Sequence, residues 1–301
     1  MTNIKKYIFL PIITAALLFS LTACSAAPEA GLEGLLSFTE ADFPRIDGST
    51  ATIPLGEAAA AVLMGIDRAD AGRFAVFSGT DRSFRNLVEG TVDLLIVYEP
   101  AEETLREIGG TEGLNMAPIG YDGLVFIVNA ANPVDSLSVD QVRDIYTGVI
   151  TNWSEVGGED AAIAPFQRNH TAGSHALMMS LLMKDTPLMT PIQTYIFGGM
   201  GSLLSSVAEF DSGRHAIGYN VFFYVAEMMR NPNVKILRIN DVAPSRQSIS
   251  SGEYPLRNPF YAVIRADEPE GSPAYKIFRW LQSPEGQALI YLEGYAAYIV
   301  S

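Results

Sequence analysis

Apolar and polar positions change rhythm twice along the chain. Lys5 and Lys6 precede an apolar run from Tyr7 to Ala23, interrupted by Pro11. Those 17 residues are short for a membrane span and long enough for the apolar core of a secretory signal. Ser25 to about Glu40 is rich in Ala, Gly and Glu and reads as a tether. Beyond it, helical periods alternate with short, nearly continuous apolar runs. Leu55, Ala59, Val62 and Ile66 share a helix face after Gly48-Ser49-Thr50. Phe84, Leu87 and Val88 mark a second helix, closed by Gly90. The spacing predicts strands at 73–77, 92–98, 124–129, 216–219, 234–237 and 261–264. The run at 92–98 is nearly continuously apolar, as expected where both faces of a sheet are covered. Ser138 to Gln141 reads as a capping box, opening a helix that buries Val142, Ile145 and Tyr146. Ser174 opens a Leu- and Met-rich helix, and Ser283-Pro284 starts another that stops at Gly294. This alternation predicts an α/β fold with mostly parallel sheets.

Composition narrows the class. A 301-residue chain that is 48% hydrophobic can bury a large core, which excludes a disordered chain. Its 34 acidic residues outnumber 20 basic ones, for a net charge of −14. That balance excludes a general nucleic-acid binder, which needs clustered Lys and Arg. It does not exclude a small anion held by local donors. Cys24 is the one cysteine, so no internal disulfide and no CxxC metal site can form. Leu21-Thr22-Ala23-Cys24 resembles a bacterial lipobox. The resemblance implies that residues 1–23 are removed as a signal peptide and that the Cys24 thiol is lipidated. The protein would then be anchored on the extracytoplasmic face of the cell membrane.

Three short segments carry candidate chemistry. Ser49-Thr50, Ser78-Gly79-Thr80 and Ala172-Gly173-Ser174 each stand just before a helical pattern. Helix starts offer free N–H groups and a positive dipole end, and Ser and Thr add hydroxyls. Such residues are also the usual N-caps, so ordinary capping is the competing reading. Arg168, just before the third start, offers a charged fork suited to phosphate. His170 and His175 flank that loop, as solvated residues or as extra cations at mildly acid pH. The stretch Tyr219–Tyr224 and Met178, Met179 and Met183 read as core packing.

These segments resemble a known family. Arg45-Ile-Asp-Gly-Ser-Thr50 is similar to the first ligand loop of the phosphate-binding proteins of ABC importers. Ile145-Tyr-Thr-Gly-Val-Ile-Thr-Asn-Trp-Ser-Glu-Val-Gly-Gly158 resembles a signature of that family's second lobe. Phe166 to Ser174, Ala216 to Tyr219 and Trp280 to Gln287 match further pieces in the family's order. The resemblance implies a two-lobed periplasmic-binding-protein-like α/β fold. Each lobe would be a mostly parallel sheet flanked by helices, with two crossing strands between them. One lobe would comprise residues 41–121 and 224–301, and the other 122–223, after a tether at 24–40. The ligand site would comprise Ser49, Thr50, Thr80, Glu99, Arg168, Gly173 and Ser174. Glu99, beside Pro100, stands near the family's acidic position, with Tyr98 as the neighbouring candidate. A carboxylate there would accept the proton of phosphate and repel sulfate, which carries none.

The implied function is a binding protein without catalysis, cofactor or metal. It would capture phosphate or a related small oxyanion as a monomer and deliver it to an importer's membrane permease. One departure keeps another reading open. Thr171-Ala172 stands where the family has Gly-Ser, so a donor hydroxyl is missing, at roughly 1–3 kcal/mol. The alternative is therefore a sensor or surface-interaction protein that keeps the fold without the ligand. A hydrolase built on Ser174 and a histidine is the third reading. It lacks a GxSxG elbow and an HExxH motif.

Overall fold

Ile46–Gly48 pairs in parallel with Leu94–Val97, which in turn lies antiparallel to Arg257–Arg265. The next strand, Leu114–Asn129, is 16 residues long and changes partners along its length. Residues 114–123 pair with Arg257–Arg265. Residues 124–129 pair with Ala216–Val221 and Val234–Ile236. Ala164–Pro165 then adds in parallel to Ala216–Val221. The flanking pairs are thus parallel, while the two long strands bring antiparallel neighbours between them. In this computed structural model the described residues are 36–209 and 214–298. The expected signal segment, Cys24 and most of the expected tether lie outside them. From Leu36 onward the described residues form one compact unit. Among them no helix is long and apolar enough to cross a membrane.

The strand Leu94–Val97 shows why its sequence is apolar throughout. Leu94 and Ile96 face the main core, with Leu55, Ala59 and Leu63 of the helix Ile53–Met64. Leu95 and Val97 face a smaller core of Phe84, Leu87 and Val263. Both faces are covered, so alternation would leave polar groups buried. The Ser138 capping box forms as expected: its Oγ accepts from Gln141 N–H, and Gln141 Oε1 accepts from Ser138 N–H.

Several expectations change. No strand forms at 73–77: Gly72–Phe74 is a 3-10 turn, and the chain then runs irregularly to Thr80. Its backbone is held by a side chain instead of a ladder, since Ser78 N–H donates to Asp47 Oδ1. The helix opening near Ser174 spans Gly173–Leu177 and continues as a π-helix over Met178–Met183. Val234–Ile236 pairs with Ile127–Asn129, and Arg238–Ile239 with Ser136–Leu137.

Candidate functional site

The three helix starts converge. One pocket of about 230 Å³ is lined by Ser49 and Thr50, by Ser78, Gly79 and Thr80, and by Gly173 and Ser174. Arg168, Asn169, Thr171, Ala172 and Tyr98 complete most of its wall. Local structure explains why each start is available. Ser49 ends the strand Ile46–Gly48 and turns into a 3-10 segment at Thr50–Thr52. Gly79 adopts φ 95°, a left-handed conformation that suits glycine, and launches the helix Thr80–Val88. None of the three starts has a side-chain cap. Elsewhere the capping reading holds: Ser138, Asn152, Ser245, Ser272 and Ser283 each accept a hydrogen bond from their own helix. The hydroxyls at the pocket are therefore not spent on capping.

They are used across segments. Ser49 Oγ accepts from Tyr98 N–H at 3.1 Å and lies 2.8 Å from Thr80 Oγ1. Gly173 approaches Thr80 so closely that a Cβ on it would lie 2.3 Å from Thr80 Oγ1. Only a residue without a side chain fits there.

Arg168 is 6% exposed. Its Nε donates to Phe197 O and its Nη2 to Gly198 O, both at 3.1 Å. No carboxylate pairs with it among the described residues, and burial pulls its pKa below the ordinary guanidinium value. Five buried side-chain polar atoms lack a partner among the described residues, and three belong to this wall: Arg168 Nη1, Ser174 Oγ and Asn169 Oδ1. Such groups are costly to bury without a partner. Their concentration on one pocket leaves polar atoms there available to a ligand. Ser174→Ala should therefore leave folding stability within about 0.5 kcal/mol, since no internal hydrogen bond is lost. It should weaken anion binding. Urea unfolding beside an anion titration checks both halves, and a large loss of stability would contradict it.

Tyr219 positions the third loop. Its Oη accepts from Arg168 N–H at 3.0 Å and lies 3.2 Å from His175 Nδ1. Burial, with His170 and Arg168 nearby, depresses the His175 pKa to about 4. His175 is thus neutral at neutral pH, and is no extra cation there. The unfolded chain binds this proton near pH 6.5 and the folded one near 4, so stability is complete above about 6.5 and falls as pH drops toward 4. Asp122, buried and raised to about 6, acts in the opposite sense between about pH 4 and 6. The test is therefore a difference. Relative to wild type, His175→Gln should gain stability as pH falls from about 6.5 to 4, and the two profiles should run parallel above 7. Parallel profiles throughout would refute a buried neutral histidine.

Six of the seven expected ligand residues line this pocket: Ser49, Thr50, Thr80, Arg168, Gly173 and Ser174. Glu99 does not. It is exposed, accepts from Tyr261 O–H at 3.2 Å, and lines a separate cavity with His170 and His175. Strand alternation is the reason. Tyr98 follows Leu94 and Ile96 on the site-bearing face, so the next residue turns away. Tyr98 reaches the pocket wall, while its hydroxyl donates to buried Asp122 at 2.7 Å. Ala172 lines the wall without a hydroxyl, and Thr171 lines it beside Ala172. Asn169 was missed, since an amide in a loop carries no helix-start signal.

The phosphate-binding protein PstS of Bacillus subtilis (strain 168) is 28% identical over 211 residues, covering 70% of this chain and 66% of that relative. The matched stretch thus spans just under two thirds of that protein. A structure from Clostridium perfringens, named as a phosphate ABC transporter substrate-binding protein with bound phosphate, is 27% identical. It has a TM-score of 0.66 and covers 84% of this chain and 98% of its own. An ABC-type phosphate transport receptor from Vibrio cholerae, 23% identical with a TM-score of 0.62, covers 83% and 98% and shares the fold. The model of the PBP superfamily domain matches residues 45–288, and by that match over most of its length the chain belongs to the PBP superfamily.

Proposed function

We propose that this protein is an extracytoplasmic solute-binding protein that captures inorganic phosphate, or a closely related tetrahedral oxyanion, and hands it to an ABC importer. The observation that carries the reading is Arg168: a buried guanidinium whose Nη1 has no partner, and which meets no carboxylate, among the described residues, on a pocket wall rich in hydroxyls and uncapped helix starts. The names of the Bacillus and Clostridium relatives point to phosphate and to an importer. Binding would be the whole task, through closure of two lobes around the anion. Residues 41–121 and the C-terminal segment would form one lobe, with the middle segment as the other. The pairing of 234–239 with strands near 127–137 favours extending the middle lobe to about residue 242. The tetrapeptide Leu21-Thr22-Ala23-Cys24 supports a lipid anchor, which would hold a monomer near its permease.

Mass spectrometry of protein purified natively, without added anion, tests the ligand. A retained species of phosphate mass supports the reading. A retained organic molecule without an oxyanion group contradicts it.

A further inference from the structure

Ser78 lines the oxyanion pocket, yet its hydroxyl proton is already committed. Ser78 Oγ donates to Asp47 Oδ2 at 2.6 Å and accepts from Asn86 Nδ2 at 3.2 Å. Asp47 is 3% exposed and surrounded by donors. Its Oδ1 accepts from Gly48 N–H at 2.7 Å and Ser78 N–H at 2.6 Å. Its Oδ2 also accepts from Asn86 Nδ2 at 2.8 Å. A carboxylate filled with donors can only accept, so the Ser78 proton cannot leave it for a ligand. One lone pair of Ser78 Oγ remains, and that is all its side chain can offer an anion.

Apart from Tyr98, whose hydroxyl proton is committed to Asp122, the polar side chains considered next are not locked in this way. Either of Ser49 and Thr80 can donate in their shared bond, Ser174 Oγ has no partner among the described residues, and Asn169 can turn either end of its amide inward. Each can become a donor to any tetrahedral anion. Discrimination needs one group that cannot. No acidic side chain lines the pocket itself.

We propose that Asp47 and Ser78 together form the selectivity element of the site, an inference that rests on the oxyanion reading above. Ser78 accepts the P–O–H of singly or doubly protonated phosphate. Its fixed lone pair, with the Asp47 charge behind it, opposes a fully deprotonated anion such as sulfate. The pair does what was expected of Glu99, with the carboxylate one hydroxyl removed from the ligand.

Calorimetric titration with phosphate and with sulfate tests this on wild type, Ser78→Ala, Ser78→Thr and Asp47→Asn, each with a thermal melt. Ser78→Ala should weaken phosphate about tenfold and leave sulfate unchanged or tighter. Asp47→Asn places an amide donor against Ser78 Oγ and frees the serine proton toward the ligand. The phosphate-to-sulfate preference should then fall about tenfold or more. Ser78→Thr keeps the hydroxyl and should keep the wild-type preference, which a merely space-filling role would not require. An unchanged preference in Ser78→Ala overturns the proposal, even if Asp47→Asn fails to fold. Wild type that binds neither anion overturns the oxyanion reading itself. Wild type that binds phosphate with the preference unmoved in the variants overturns only the Asp47–Ser78 pair.

Discussion

Arg168→Ala is expected to weaken phosphate binding by at least about 2 kcal/mol, roughly 30-fold, while costing the fold much less. Charge-assisted hydrogen bonds from a guanidinium are stronger than neutral ones. Here the donor is already desolvated and held in place by Phe197 O and Gly198 O. Little ordering cost is left for binding to meet. In the free protein the same burial is a liability, because an unpaired buried charge is destabilising. Removing it relieves that cost and leaves two carbonyls without their donor, so the two effects on stability offset each other. Anion titration and urea unfolding of the same variant read the two quantities separately. Near-wild-type affinity, or a collapse of stability that accounts for the lost binding, would contradict this role.

Gly173→Ala is expected to be nearly as damaging, by a different route. Its Cβ would lie 2.3 Å from Thr80 Oγ1 and 3.2 Å from Thr80 Cβ. Thr80 is buried and tied to Ser49, so it has little room to retreat. Overpacking of this kind costs about 1–3 kcal/mol, or roughly 5- to 150-fold if the cost falls on the binding-competent arrangement. The mechanism predicts non-additivity. Thr80→Ala alone should weaken binding by removing a hydroxyl, but in the Gly173→Ala background it should cost less or restore affinity. Strictly additive losses would place the effect of Gly173→Ala elsewhere.

Much of the site was legible because its chemistry is local. A helix start announces itself through Gly, Ser and Thr before a helical period, and three such signals at Ser49, Thr80 and Ser174 converge. Sequence could not decide between capping and binding, since the same residues do both. That decision needed the hydrogen bonds: Ser138 and Ser283 cap their helices, and Ser49 and Ser174 do not. Glu99 lies outside this pocket because strand alternation has a period of two. A register uncertain by one residue moves a side chain to the opposite face. The Asp47–Ser78 pair was out of reach for another reason. It joins residues 31 apart across a segment that looked like a strand and is not one.

The fold was legible wherever burial is two-sided. Leu94–Val97 is apolar throughout and the 124–129 half of the long strand is apolar up to Asn129, and both match the expected strands. The 114–123 half matches none, because Pro118, Gly120 and Gly123 break its pattern and its partner Arg257–Arg265 lies more than a hundred residues on. Pairing of that kind is set by tertiary contacts rather than by local sequence.

The most direct test of the central claim is calorimetric titration of wild-type protein, stripped of bound anion by unfolding and refolding, with inorganic phosphate. The account predicts a single saturable site per chain, lost or greatly weakened in Arg168→Ala. Refolded wild type that shows native unfolding yet gives no saturable signal with phosphate or sulfate would contradict it.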